Sequence, residues 1–164
     1  MKISVLLPYK ENFSPSYPGA VSLFVYETSI NSKFKKNLII YGSTKLKKKF
    51  PIKYININLN KSVLSSQTKT YVNKFISLEK KNSSSIIEIH NRPIYVKIII
   101  SKNLNKVISL YFHNDPLSME GSKTINERKY LLSACYKIIF NSNWSKKRFL
   151  EGLDNKFVNS NKLA

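Results

Sequence analysis

Glycine, cysteine and histidine are scarce in this 164-residue chain, and each scarcity excludes a class of protein. With only 4 glycines, the chain lacks the three spaced glycines of the dinucleotide-binding fingerprint, which argues against a nicotinamide-dependent dehydrogenase. The single cysteine, Cys135, excludes an internal disulfide and fits a reducing compartment. Because Cys135 lies in an apolar segment, we expect a buried core thiol and not a nucleophile. Two histidines without paired cysteines argue against a zinc site, and no cofactor is predicted.

Acidic residues are also few, 9 against 28 lysines and arginines, which leaves a net charge of +19. Such a charge indicates an anionic partner, which can be nucleic acid, a lipid surface or a phosphorylated substrate. Arginine, which base-reading and phosphate-reading sites favour, occurs only at Arg92, Arg128 and Arg148. The chain is also rich in isoleucine and asparagine, so we attribute part of the lysine excess to an AT-rich coding sequence. The basic cluster 45–49 is either a solvated face or a docking site for anionic lipid.

The length and the apolar content predict one domain over residues 1–164. Apolar residues make up 42% of the chain, enough for a hydrophobic core. The apolar N-terminal segment is too short for a signal peptide or a membrane span. We therefore expect a cytoplasmic protein. A peripheral position at the inner face of the cell membrane is compatible with this expectation.

Strand-like and helix-like segments alternate along the chain. The predicted strands are Ile3–Leu7, Asn37–Tyr41, Ile52–Ile57, Ile86–Ile89, Val107–Phe112 and Lys137–Phe140. The predicted helices are Ala20–Phe34, Ser62–Lys81, Asn126–Cys135 and Ser142–Gly152. The β-branched segment Ile94–Ile100 suits a strand, but its place after Pro93 in the alternating order favours a helix. This order predicts an α/β fold: a Rossmann-like, doubly wound parallel sheet with helices on both faces.

In such a sheet, ligands bind beyond the carboxyl ends of the strands, so polar residues directly after a strand are the candidate site residues. The loop after the first strand leads to Gly19 and Ala20 at the start of a helix, where backbone N–H groups can approach a phosphate. The alternative is a glycine that merely fits the turn.

Two further clusters follow predicted strands. In the first, Glu88 and His90 lie on one face of a strand and can pair, and Arg92 follows them. The pair is either functional or a satisfied polar pair at the end of the sheet. In the second, His113 can bond a sugar oxygen, and Asp115 can fix the tautomer of the imidazole or bind a sugar hydroxyl. The alternative is a turn that closes the strand.

Four segments resemble, in order and spacing, the N-terminal domain of the retaining GT-B glycosyltransferases of glycosyltransferase family 4. These segments are VLLPYKENFSPSYPGAVSLFVYE, IIEIHNRP, SLYFHNDPLSMEGS and ERKYLLSACYKIIFNSNWSKKRFLEGL. The second and third are most similar to hexosyltransferases that build lipopolysaccharide or capsule. The resemblance implies a nucleotide-sugar donor, and a glycan or lipid-linked acceptor bound by this N-terminal domain.

The resemblance also implies a role for each candidate residue. Gly19, together with Ala20, would approach the donor diphosphate, although Pro18 replaces the first glycine of the pair that many members carry. His113 would be the catalytic residue beside the transferred sugar, and Asn114 and Asp115 would shape its pocket. Two further positions belong to this set, with Arg92 lining the acceptor side and Ser142 marking the strand-to-helix turn near the cleft.

The donor-binding domain of such enzymes has no counterpart in the 164 residues. We therefore expect this chain to lack appreciable transferase activity by itself, and a separate polypeptide is one way to supply the missing domain. The alternatives are a basic nucleic-acid-binding protein or another nucleotide-binding Rossmann-like module. Specific nucleic-acid recognition is not expected, because the aromatic residues lie in apolar segments and no known motif is present.

Overall fold

The computed structural model describes residues 1–59, 66–158 and 160–164. Strands and helices alternate along these residues, as predicted. The strands are β1 (Ile3–Leu6), β2 (Leu38–Gly42), β3 (Tyr54–Asn56), β4 (Ile86–His90), β5 (Val107–Phe112) and β6 (Lys137–Phe140). The helices are α1 (Ala20–Ile30), α2 (Gln67–Asn82), α3 (Ile94–Ile100), α4 (Ile125–Ala134) and α5 (Asn143–Leu150).

The six strands within the described residues form one sheet in the order β3-β2-β1-β4-β5-β6. Ile3 of β1 lies opposite Leu38 of β2, and Ser109 of β5 lies opposite Lys137 of β6, both in parallel pairs. An all-parallel sheet in this order, with a helix after most strands, is the predicted Rossmann-like α/β fold.

Most element boundaries agree with the sequence, and the largest difference is at the end of α1. The helix predicted to reach Phe34 ends at Ile30. The side-chain amide of Asn31 donates to the carbonyl of Glu27, and the hydroxyl of Ser32 accepts from the N–H of Phe34. These local side-chain bonds compete with the helical pattern and end the helix early.

The ambiguous segment 94–100 and the predicted helix Ser62–Lys81 can also be compared with the structure. Residues 94–100 form a helix, as the alternating order favoured. Helix α2 ends at Asn82, one residue beyond the predicted end at Lys81, where Ser83 takes a left-handed conformation. The predicted start of this helix at Ser62 lies outside the described residues.

The chain divides into two compact units, Met1–Ile87 and Glu88–Ala164. In the first unit, the apolar faces of β1, β2 and α1 enclose a core that includes Val5, Ile40 and Phe13. Glu79 of α2 is a buried carboxylate there, and it accepts hydrogen bonds from the hydroxyls of Ser4 and Ser84. These bonds satisfy polar oxygen atoms that would otherwise be costly to bury.

In the second unit, the aromatic rings of Phe112, Phe140 and Phe149 pack against one another with centroid distances of 5.4 to 5.6 Å. Cys135 is 1% exposed, and burial raises the pKa of its thiol to about 12. The prediction that Cys135 is buried in the core is therefore confirmed. Ser142 is the N-cap of α5, as expected, and its hydroxyl accepts a hydrogen bond from the N–H of Ser145 at 3.2 Å.

Candidate functional site

The two histidines of the chain meet at the carboxyl ends of β4 and β5. His90 is the last residue of β4, and His113 follows the last residue of β5. Nδ1 of His90 lies 3.0 Å from Nε2 of His113, which is hydrogen-bonding distance. One of the two nitrogens must carry the shared proton and the other must accept it. The pair thus fixes the orientation of both rings.

Glu88 extends this pair into a row of three polar side chains. Its Oε2 lies 3.9 Å from Nε2 of His90, so Glu88 and His90 lie close together, as their positions on one face of β4 predicted. His90 is 2% exposed, and its ring stacks on Tyr111 of β5 with ring centroids 4.5 Å apart. Stacking and burial hold His90 in place between Glu88 and His113.

Two asparagine side chains hold the backbone of His113 by hydrogen bonds. The side chain of Asn91 accepts from the N–H of His113 at 3.2 Å, and the side chain of Asn141 donates to its carbonyl at 2.9 Å. Asn91 has a φ of 55°, in the left-handed region that asparagine tolerates better than most residues. Its own N–H donates to the carbonyl of Tyr111 at 2.7 Å, which ties the end of β4 to β5.

Burial makes His113 a neutral imidazole at pH 7. Its pKa is lowered from 6.5 to about 4, first by loss of hydration and second by the neighbouring His90. A neutral imidazole has one donor and one acceptor nitrogen, so it can bond a hydroxyl or sugar oxygen without adding a charge.

The residues after His113 are held by a second set of contacts. Asp115 accepts from the N–H of Leu117 at 3.0 Å and from the guanidinium of Arg148 at 3.3 Å. Its two oxygens therefore contact the loop after β5 and α5. The ring of His113 is hydrogen-bonded to His90. Asn114 is exposed beside this cluster.

Arg92 and Ser142 lie near the same strand ends but have local contacts. The guanidinium of Arg92 is exposed and donates to the carbonyl of Asn91 at 2.9 Å. Ser142 is exposed and follows Asn141, the residue that bonds the carbonyl of His113. His113 and Asp115 lie in the loop after β5, and Asn141 connects this loop to the turn that contains Ser142.

In the first unit, Gly19 is the N-cap of α1 and Ala20 is its first residue. A carboxylate of the chain itself occupies this helix start. The side chain of Glu11 accepts from the N–H of Ser22 at 3.0 Å and from its hydroxyl at 3.2 Å. A Cβ at position 19 would overlap the carboxylate of Glu11, so the glycine leaves the room that Glu11 fills. The predicted phosphate contact at Gly19 requires Glu11 to move.

Sequence reasoning missed the roles of Glu11, Asn91 and Asn141. For Glu11 a signal was available, because a carboxylate shortly before a helix start is a candidate to satisfy the free N–H groups. The contacts of Asn91 and Asn141 depend on which loops the sheet brings together, and local sequence patterns do not contain that information.

Several solved structures share this fold. The chain is similar to a glycosyltransferase from Rickettsia africae with a TM-score of 0.60 and 17% identity, over 99% of this chain and 42% of that one. It is similar to the HepE protein of Anabaena, solved with UDP and glucose, with a TM-score of 0.60 and 14% identity, over 92% of this chain and 41% of that one. A UDP-N-acetylglucosamine 2-epimerase has a TM-score of 0.58 and 8% identity, over 99% of this chain and 47% of that one.

This chain thus spans less than half the length of each of these structures and has the fold of one Rossmann-like domain of the GT-B type. No protein-family model and no curated protein matches the sequence. Within residues 1–59, 66–158 and 160–164, no helix has the length and apolar content needed to cross a membrane.

Proposed function

We propose that this chain is the acceptor-side domain of a glycosyltransferase that uses a nucleotide sugar as its donor. The observation that carries the proposal is the neutral, oriented imidazole of His113 at the carboxyl end of β5, in a GT-B type domain. The two glycosyltransferase-like neighbours add support, because one is a glycosyltransferase by name and the other was solved with UDP and glucose. The resemblance of the four sequence segments extends the proposal to a retaining, family 4 hexosyltransferase acting on a cell-envelope glycan or glycolipid.

In this proposal His113 lies beside the transferred sugar and bonds one of its oxygens. His90 and Asn91 act through His113, because the first fixes the ring and the second fixes the backbone. Neutrality of the ring matters, since a hydrogen bond from a neutral imidazole positions the sugar without competing for the charge of the donor phosphates. Asn114 completes the sugar pocket, and Arg92 lines the acceptor side, where its exposed guanidinium can meet an oxygen-rich ligand.

Transfer also needs a surface that holds the nucleotide, which we assign to a second domain in the same polypeptide or in another one. We expect residues 1–164 to contact the sugar of the donor weakly and to show no appreciable turnover by themselves. In the cell we place the enzyme on the cytoplasmic side, close to the membrane that carries a lipid-linked acceptor.

Imidazole resonances provide the test, because the two histidines both lie in the proposed site. UDP-glucose, UDP-N-acetylglucosamine and UDP alone are titrated to millimolar concentrations while the ring signals are followed by NMR. We expect the two nucleotide sugars to shift the His113 signal saturably and UDP alone to shift it less. The variant His113→Gln should lose the sugar-dependent affinity, as reported by His90, and the matched variant Arg92→Gln should keep it.

The alternative is a domain that binds a nucleotide for different chemistry, which the similarity to a UDP-N-acetylglucosamine 2-epimerase favours. Equal shifts with UDP and with the nucleotide sugars would support that alternative. Absence of any saturable shift at either histidine would contradict the proposal that His113 contacts a donor sugar.

A further inference from the structure

A large basic cavity lies in the first unit, at the carboxyl ends of β1, β2 and β3. Its volume is about 780 Å³, within the range typical of small-ligand sites. Tyr9 and Asn12 reach it from the loop after β1, and Thr44 reaches it from the loop after β2. The carboxyl edge of a parallel sheet is where ligands of such folds bind.

The charge of this cavity has one sign. Lys10, Lys45, Lys47 and Lys49 all line it, and none of the described residues lining it carries a carboxylate. The ammonium group of Lys49 donates to the carbonyl of Leu46, which holds that charge within the loop. Four cations around a concave surface raise the local potential and favour an anion there more strongly than on a flat surface.

Hydrogen bonds between the loop after β1, the loop after β2 and the strand β3 hold the cavity in shape. The hydroxyl of Thr44 lies 3.3 Å from the side-chain oxygen of Asn12, and its N–H donates to the side chain of Asn56 at 3.1 Å. The hydroxyl of Tyr54 donates to the same oxygen of Asn56 at 3.1 Å. Lys10 has a φ of 65°, in the left-handed region that is unfavourable for lysine. Such a conformation persists only where the surrounding structure imposes it, and it is concentrated at binding sites.

We propose that this cavity binds the phosphoryl group of a phosphorylated sugar. Lysine ammonium groups are compact point charges that suit a tetrahedral phosphate, and the amides and hydroxyls around them can bond sugar hydroxyls. The concave shape and the volume suit a small ligand, whereas a bilayer or a nucleic-acid duplex needs a more extended surface. Binding of this ligand does not depend on the proposed function, in which the acceptor is a glycan or a glycolipid.

The test compares glucose 6-phosphate with glucose by isothermal titration calorimetry at about 0.15 M salt, where diffuse attraction is screened. The cavity variant is Lys45→Gln with Lys47→Gln. The matched control is Lys80→Gln with Lys81→Gln, which removes the same charge from two exposed lysines of α2 that do not line the cavity.

We expect saturable binding of glucose 6-phosphate and none of glucose. The cavity variant should bind about tenfold more weakly or worse, because two of the four lining cations are lost, and the control should stay within about twofold. Equal weakening in both variants, or no saturable binding by the unaltered chain, would overturn the proposal. Because no nucleotide is present and the histidines are not the reporter, this result is independent of the donor titration above.

Discussion

Replacing His90 with phenylalanine separates the two causes that lower the pKa of His113. Burial is the larger cause and the neighbouring imidazole is the smaller one; together they lower the pKa from 6.5 to about 4. Phenylalanine keeps an aromatic ring against Tyr111 and removes the hydrogen bond to His113. Because burial persists in His90→Phe, we expect the pKa of His113 to rise but more than half of its lowering to remain.

The assay is an NMR titration of the imidazole signals, with amide signals recorded at each pH to confirm that the chain stays folded. The sequence has 2 histidines, so the variant contains one and its curve needs no deconvolution. A pKa near 6.5 in the unaltered protein would refute the burial of His113. An unchanged pKa in His90→Phe would refute the electrostatic coupling between the two rings.

The same lowering also predicts how stability depends on pH. Between pH 6.5 and about 4, the unfolded chain protonates His113 while the folded chain keeps it neutral, so the free energy of unfolding falls as the pH drops through this window. The full shift would correspond to about 3 kcal/mol, but the ring is only half-buried, so we expect about 1.5 kcal/mol. Urea denaturation of the unaltered chain and of His113→Gln at several pH values measures this contribution, and parallel pH profiles would contradict it.

Three further predictions concern buried or helix-capping groups. Glu11→Ala removes the acceptor of two hydrogen bonds from Ser22 and should lower the free energy of unfolding by about 1 kcal/mol, measured in urea, with a null effect refuting the cap. Glu79→Ala strips Ser4 and Ser84 of their buried partner and should cost about 3 kcal/mol, with Glu79→Gln costing less; equal stability of all three chains would be inconsistent with the buried network. The thiol of Cys135, whose pKa burial raises to about 12, should react with iodoacetamide at pH 8 only as fast as the chain unfolds, and labelling within seconds in the folded chain would contradict its burial.

Much of the fold could be predicted from local patterns. The apolar segments before Pro8 and before His113 are strands because short apolar runs, ended in one case by a proline and in the other by polar residues, suit a buried parallel sheet. The segment 94–100 has the same composition yet forms a helix, and only the alternating order of the whole chain favoured that outcome. The end of α1 was predicted too late, because the bonds from Asn31 and Ser32 that end it are specific to their side chains.

The candidate site was predicted less completely than the fold. Strand alternation places Glu88 beside His90, and this pairing was expected. The bond between His90 and His113 joins residues 23 positions apart, and it depends on the neighbouring positions of β4 and β5. Local patterns do not show which strands are neighbours in the sheet. The sequence therefore indicated both histidines as candidate site residues, but it did not show that they share a proton.

Two of the three arginines hold loops by their own hydrogen bonds. Arg128 is 3% exposed and donates to the backbone carbonyls of Ser122, Lys123 and Glu151. The guanidinium of Arg148 likewise bonds Asp115 across the loop after β5. Both arginines hold loops of the second unit, because a planar group with five donors can join several acceptors at once. Asp115 can therefore bind a sugar hydroxyl only by sharing or leaving Arg148. In the proposed function we therefore assign the contacts of this loop with substrate to His113 and Asn114, while Asp115 positions the loop that carries them.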